Sequence, residues 1–452
     1  MQLSPRTGSS SFTIAFACTA EFVLFVAGAG KAEALPAFAV QTGQNCAACH
    51  VGGFGPRLTP FGREFKISGY ALRAGDSFSN PLSAMVVASY VHTSLDQPTP
   101  PHYSPNNNFA LDQVSVFVAG GVGTYAGGMA QFTYDGIGRA FAWDNLDLRV
   151  VNHTKIAGSD AIIGLSLNNS PTVQDPWNTR SAWSFPYTGS DLAPAPAAGP
   201  VLAGALAQSV LGVSAYVWWD STVYAEFALY ETPSRGFLRA MGVDANETGI
   251  LSSAATYARV GYEKNYGDQN FQIGAVAFFP SLYPGGDNSA GTSDRYTDLG
   301  LDASYQFMGS GENVVQVNAR YTNEQQSLDA TYALGGASRP DETLQDIRAT
   351  VSYYWRNQIG GSVNYFDTWG SVDPLLYADN QTQKPDSTGF TFQIDVTPFG
   401  NSPSSLGPRA NLRVGLQYTI YSKFDGAGSN YDGLGHNASD NDALRLFTWF
   451  AF

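Results

Sequence analysis

The chain has 452 residues, of which 14% are charged and 13% aromatic, with 48 Gly and 24 Tyr. Soluble α/β enzymes carry nearer ~25% charge, and a formal charge of −14 excludes nucleic-acid binding on electrostatic grounds. Mean hydropathy is mildly negative, which excludes a bundle of membrane-spanning helices.

Residues 1–34 read as a secretory leader. Arg6 gives a weakly basic start, Phe12 to Gly30 is mostly apolar, and Ala32-Glu33-Ala34 is a small-x-small cleavage site before Leu35. Glu21 interrupts the apolar run, so a retained helix is the competing reading. No other stretch offers the ~18 uninterrupted apolar residues of a spanning helix. Arg6 and Lys31 balance Glu21 and Glu33, so the mature chain keeps the charge of −14. A membrane-like composition without spanning helices points to a closed barrel, the other architecture that satisfies every backbone group in lipid.

Cys18 leaves with the leader, and the two remaining cysteines fall in Cys46-Ala47-Ala48-Cys49-His50. C-x-x-C-H is the attachment signature of c-type haem. Its two thiols, one turn apart, add to the two vinyl groups, and His50 follows as the proximal iron ligand. A redox dithiol would need a βαβ setting, and a zinc site would need two further ligands nearby. Thr59 can cap and Pro60 can open a short helix, with Phe61 and Phe65 on one face. The reading is a small α-helical c-type cytochrome domain over residues 35–80, too small for an independent core and needing both the haem and the barrel lumen as supports. Met85 and His92 are the nearest candidates for the distal ligand, with His102 further along. Strand parity favours Met85, whose thioether would raise the potential.

Residues 81–452 read as the barrel. Segments of about ten residues alternate apolar and polar. Leu299, Leu301 and Ala303 oppose Asp298, Gly300 and Asp302; Phe392 and Ile394 oppose Gln393 and Asp395; Leu412, Val414 and Leu416 oppose Arg413 and Gln417. Short turns near Gly120–Gly123, Trp219–Ser221, Met308–Glu312 and Trp355–Gln358 alternate with long polar loops, 168–209 the longest. The expectation is an all-β outer-membrane antiparallel barrel of about sixteen strands, termini periplasmic and long loops extracellular. The closing Trp449-Phe450-Ala451-Phe452 resembles the aromatic C-terminal signal of outer-membrane barrel assembly. Arg149, Arg259, Arg320, Arg348, Arg413 and Arg445, with Asp147, Glu263, Asp298, Asp302 and Asp395, are expected on the lumen face as internal ion pairs or a cradle for the plug. Asp287, Asp294, Asp373, Asp379, Asp425 and Asp432 are expected in the outer loops, where they either solubilise or steer cations.

Together, the stretch Gln41-Thr42-Gly43-Gln44-Asn45-Cys46-Ala47-Ala48-Cys49-His50, the segment Pro60-Phe61-Gly62-Arg63-Glu64-Phe65-Lys66 with Gly69-Tyr70, and the barrel to terminal Phe452 resemble the fused monohaem cytochrome–porin family of outer-membrane iron oxidases. The resemblance spans the mature chain, by motif at its start and by architecture beyond. It implies one haem c, extracellular Fe(II) as electron donor, and a periplasmic c-type cytochrome or copper protein as acceptor, a ferrous iron:cytochrome oxidoreductase embedded in outer-membrane lipid. The competing functions are a haem-plugged diffusion porin and an electron conduit for a donor other than iron. No nucleophilic triad, phosphate loop or metalloprotease motif occurs in the sequence.

Overall fold

The structure, a computed structural model, describes residues 37–75, 80–98, 100–180, 183–243, 250–401 and 410–452; residues 1–34, expected to be a leader, lie outside the described residues. Among these, one sheet holds β1 (Leu82–Thr93), β2 (Asn108–Val122), β3 (Ala126–Asp135), β4 (Ala140–Ile156), β5 (Ser159–Asn168), β6 (Leu211–Trp219), β7 (Val223–Glu231), β8 (Ile250–Leu251) and β9 (Ala255–Tyr266). It continues through β10 (Gln269–Phe279), β11 (Ser281–Tyr283), β12 (Asp294–Phe307), β13 (Asn313–Ser327), β14 (Asp341–Trp355), β15 (Ile359–Gly370), β16 (Ser387–Val396), β17 (Asn411–Lys423) and β18 (Ala443–Ala451). The short β8 and β11 pair with each other at one rim. The other sixteen form an antiparallel circuit, closed where β18 pairs with β1 from Met85↔Ala451 to Thr93↔Ala443. Closure removes the sheet edge, which is what a β structure in lipid requires.

Period two sorts the side chains between two environments. Leu299, Leu301, Phe392, Ile394, Val414 and Leu416 are exposed on the outside, while Asp298, Asp302, Gln393, Asp395, Arg413 and Gln417 are buried inside. An apolar exterior around a charged interior is the inverse of a soluble protein, and it makes this an outer-membrane barrel. Four interior arginines are paired: Arg149 with Asp147 at 3.0 Å, Arg259 with Asp302 at 2.9 Å, Arg413 with Asp395 at 3.3 Å and Arg445 with Asp112 at 2.8 Å. The β-bulge between β1 and β2 falls at Asp112, on β2, so β1 alternates without interruption and Met85 faces inward.

Two segments fill the lumen. Residues 37–75 enter from the end that carries the tight turns. Gly52 N–H donates to Asn357 Oδ1 (2.9 Å) in the turn after β14, and Asn411 Nδ2 donates to the Gly53 carbonyl (2.9 Å) at the base of β17. A Cβ at Gly53 would stand 2.4 Å from the Gly400 Cα, and φ there is +70°, so the close approach requires glycine. The second segment departs from expectation. The described part of 168–209, read from sequence as a long outer loop, folds back into the barrel: Asn169, Gln174, Asp175, Trp177, Leu202 and Leu206 are all nearly inaccessible. The lumen wall draws them in. Arg259 pairs with Asp175 at 3.1 Å, and Asp298 and Glu324 accept the Leu202 and Val201 amides at 2.7 and 2.6 Å.

Candidate functional site

The C-x-x-C-H turn is built locally. Asn45 caps the one-turn helix Cys46–Cys49 by accepting the Ala48 amide at 2.9 Å, which puts both thiols on one turn and His50 just past it. The next helix, Pro60–Ile67, starts as the sequence indicates, with Thr59 accepting the Gly62 amide at 3.1 Å and Pro60 in the first turn. It lies directly on the first: a Cβ at Gly62 would meet the Cys49 carbonyl at 2.3 Å. Phe65 packs edge-on against Phe38 (5.0 Å between ring centres) and Tyr70 (5.6 Å), a small aromatic core of its own.

The opposite face of this helix, not evident from the Phe61/Phe65 spacing, fixes the unit in the barrel. Arg63 grips Glu263 through two bonds of 2.8 and 2.9 Å and also donates to Asn270 at 2.8 Å. Lys66 donates to the Val173 and Asp175 carbonyls at 2.7 and 3.0 Å, tying the N-terminal unit to the inserted loop. Two cations on a helix buried inside a barrel carry a sequence signal only once their partners on the wall are known.

Between the N-terminal unit, the wall and the inserted loop lies a cavity of about 600 Å³, within the ~300–1,000 Å³ span of cofactor pockets. Cys46, Cys49 and His50 border it on the turn-bearing side, Met85, Phe117, Met129 and Trp449 on the wall, and Trp183, Tyr187 and Ala207 on the loop. The sequence candidates therefore separate. Met85 shares a cavity with the C-x-x-C-H turn. His92 is exposed near the outer rim, sharing a hydrogen bond of 3.0 Å with Asn107, and His102 is exposed in the following loop. Met129 was missed by sequence reading, although its parity with Gln131 and Thr133 on β3 was available.

The chemistry of the turn fits a covalently held haem. His50 Nδ1 is buried without a hydrogen-bond partner. Burial pulls the imidazole down to about 4, with the Gly55 backbone pushing it up and Arg413 adding to the depression, so it is neutral and able to donate a lone pair. Burial also pushes the Cys46 thiol up, and burial with the neighbouring Cys46 pushes Cys49 up to about 12. The reactive thiol of a redox C-x-x-C motif is shifted in the opposite direction. No cluster of three or more His, Cys, Asp or Glu side chains able to hold a metal ion occurs among the described residues.

No protein-family model and no curated protein matches the chain. Solved structures do. OmpT of Vibrio cholerae is 10% identical, with a TM-score of 0.43 over 84% of this chain and 99% of that one. An anion-selective porin from Comamonas acidovorans is 12% identical, with a TM-score of 0.45 over 82% of this chain and 98% of that one. OprB of Pseudomonas putida is 11% identical, with a TM-score of 0.44 over 82% and 93%.

Proposed function

We propose that the protein is an outer-membrane electron conduit of the fused cytochrome–porin type, in which extracellular Fe(II) gives up one electron and a periplasmic cytochrome or copper protein receives it. The observation that carries this reading is the convergence of Cys46, Cys49 and His50 on one internal cavity of cofactor size. Cys46 and Cys49 would hold a single haem c and His50 would ligate its iron. A haem supplies a one-electron centre; the protein supplies position, potential and exclusion of water. Here the Arg63–Glu263 and Lys66–Val173 contacts hold the turn in place, and the inserted loop covers the cavity from the opposite side. Gly43, Gln44 and Asn45, next to Cys46, are exposed at the end of the barrel with the tight turns, which suits transfer to a periplasmic carrier.

Haem staining of the purified protein on a denaturing gel, followed by anaerobic mixing with Fe(II), tests the proposal. Covalent stain and reduction on mixing are expected. Stain that survives Cys46→Ala with Cys49→Ala would exclude attachment there, and stained protein that Fe(II) leaves oxidised would point to another donor.

A second reading is a diffusion porin with a haem plug. A sixteen-strand barrel with a charged interior is the architecture of such pores. Two inserted segments in the lumen count against free diffusion. Planar-bilayer conductance separates the readings, because an open pore of this size conducts in large discrete steps and a filled one does not.

A further inference from the structure

We infer that Met129, rather than Met85, supplies the second axial ligand, through its thioether sulfur, to a haem held by Cys46, Cys49 and His50. The inference rests on the haem reading above and goes beyond it in naming a residue on β3.

The cavity wall restricts the choice. Of the five histidines in the chain, only His50 borders the cavity; His92, His102 and His153 are exposed and His436 lies in an outer loop. Lys66 borders it too, but its ammonium already donates to the Val173 and Asp175 carbonyls and, at 3.3 Å, to Asn178 Oδ1. The Tyr70 hydroxyl donates to Asp147 at 2.7 Å. Tyr187 lies against the Arg57 and Arg413 guanidinium groups, each 5.7 Å from its ring centre. Two thioethers remain.

These two differ in what already engages them. Met85 is buried in a cluster with Val87, Phe117, Phe447 and Trp449, and its sulfur accepts the Trp449 indole N–H at 3.3 Å. Ligation would cost that bond and leave the indole N–H orphaned in an apolar cluster. Met129 is half-buried and packs against the same cluster, but among the described residues no donor is bonded to its sulfur. Its cross-strand neighbour on β2 is the small Ala119.

Its backbone is also fixed to the unit that carries the haem turn. Gly127 and Gly128 precede it, and a Cβ at Gly127 would meet the Gly69 carbonyl of the N-terminal unit at 2.5 Å. Tyr70, one residue on, is bonded to Asp147, which stands opposite Met129 on β4. The wall position is therefore held against the same N-terminal unit that carries the C-x-x-C-H turn, and both border one cavity. A thioether opposite imidazole raises the potential, the direction needed to accept an electron from Fe(II).

The test compares full-length, haem-loaded Met129→Ala and Met85→Ala by ferric and ferrous absorption spectra, carbon monoxide binding and midpoint potential. The expected result is that Met129→Ala loses the low-spin spectrum, gains carbon monoxide binding and shifts the potential downward, while Met85→Ala keeps the low-spin spectrum and does not bind carbon monoxide. The converse pattern, or a low-spin spectrum in both variants, overturns the assignment. If both variants lose it, Met129→His decides: restored low-spin haem at a lower potential supports Met129, and continued high-spin haem overturns it. Haem staining runs alongside. A chain that stains but fails these arms refutes the ligand alone, whereas an unsubstituted chain without stain refutes the haem reading and this assignment together.

Discussion

Arg63 and Glu263 face each other across the lumen boundary, the first on the helix Pro60–Ile67 and the second on β9, bonded at two points and both almost wholly buried. The pair joins the N-terminal unit to the barrel wall. Removing one partner of such a buried pair costs about 3–5 kcal/mol, because the other charge is left uncompensated. Glu263→Ala is therefore expected to release the N-terminal unit while the barrel persists. Protease cleavage between residues 37 and 75, with the barrel still resistant to denaturation in cold detergent, is the measurement; an uncleaved unit would show that the pair is not the anchor.

Arg320 and Arg348 both border the cavity and share one carboxylate, Asp346, at 3.6 and 3.2 Å. Two cations against one anion leave a net positive charge on this wall, which would favour the carboxylates of the proposed haem. Arg348→Gln should lower the midpoint potential, since loss of a nearby positive charge favours the oxidised state. A potentiometric titration that shows no downward shift would remove Arg348 from that role.

The six loop aspartates divide by structure. Asp294 is buried and accepts the Ala330 and Thr331 amides, and Asp373 is buried and accepts the Ser338, Leu375 and Leu376 amides, so these two organise loops and are not free to attract ions. Asp287 and Asp379 remain exposed. If exposed charge steers Fe(II), Asp287→Asn with Asp379→Asn should slow reduction at low salt and have no effect near 1 M, where screening acts within ~3 Å. A rate that does not change with salt in the parent protein would leave these residues as solubilising surface.

Asp373 also predicts a pH dependence. Burial pushes its carboxyl up, but the Leu376 amide, the Ser338 hydroxyl and amide and the Leu375 amide together hold it well below the usual carboxylate range. A depressed folded-state pKa contributes stability that is present above the unfolded value of ~3.9 and is lost as pH falls through the folded value. Protection factors against hydrogen exchange in residues 328–340 and 371–386 should therefore fall on acidification below about pH 4. Asp373→Asn should show the same loosening already at neutral pH, by about 2 kcal/mol for lost charge-assisted bonds. Equal protection at pH 3 and pH 7 in the parent would contradict this.

What the sequence determined by itself is whatever depends on neighbours along the chain. Alternation of Asp298, Asp302, Gln393 and Asp395 with Leu299, Leu301, Phe392 and Ile394 is legible because each strand meets water-like and lipid-like surroundings on opposite faces, and that contrast is written residue by residue. The C-x-x-C-H turn is equally local, since its chemistry needs only one helical turn. The tertiary structure decided everything that depends on which distant groups meet. Residues 168–209 look like a polar outer loop because their partners, Arg259, Asp298 and Glu324, sit on strands far along the chain. Asp294 and Asp373 look like free loop acids until the amides that bind them are in place. Met85 and Met129 have the same inward parity, and only the position of Trp449, 364 residues from Met85 in sequence, distinguishes an occupied sulfur from an available one.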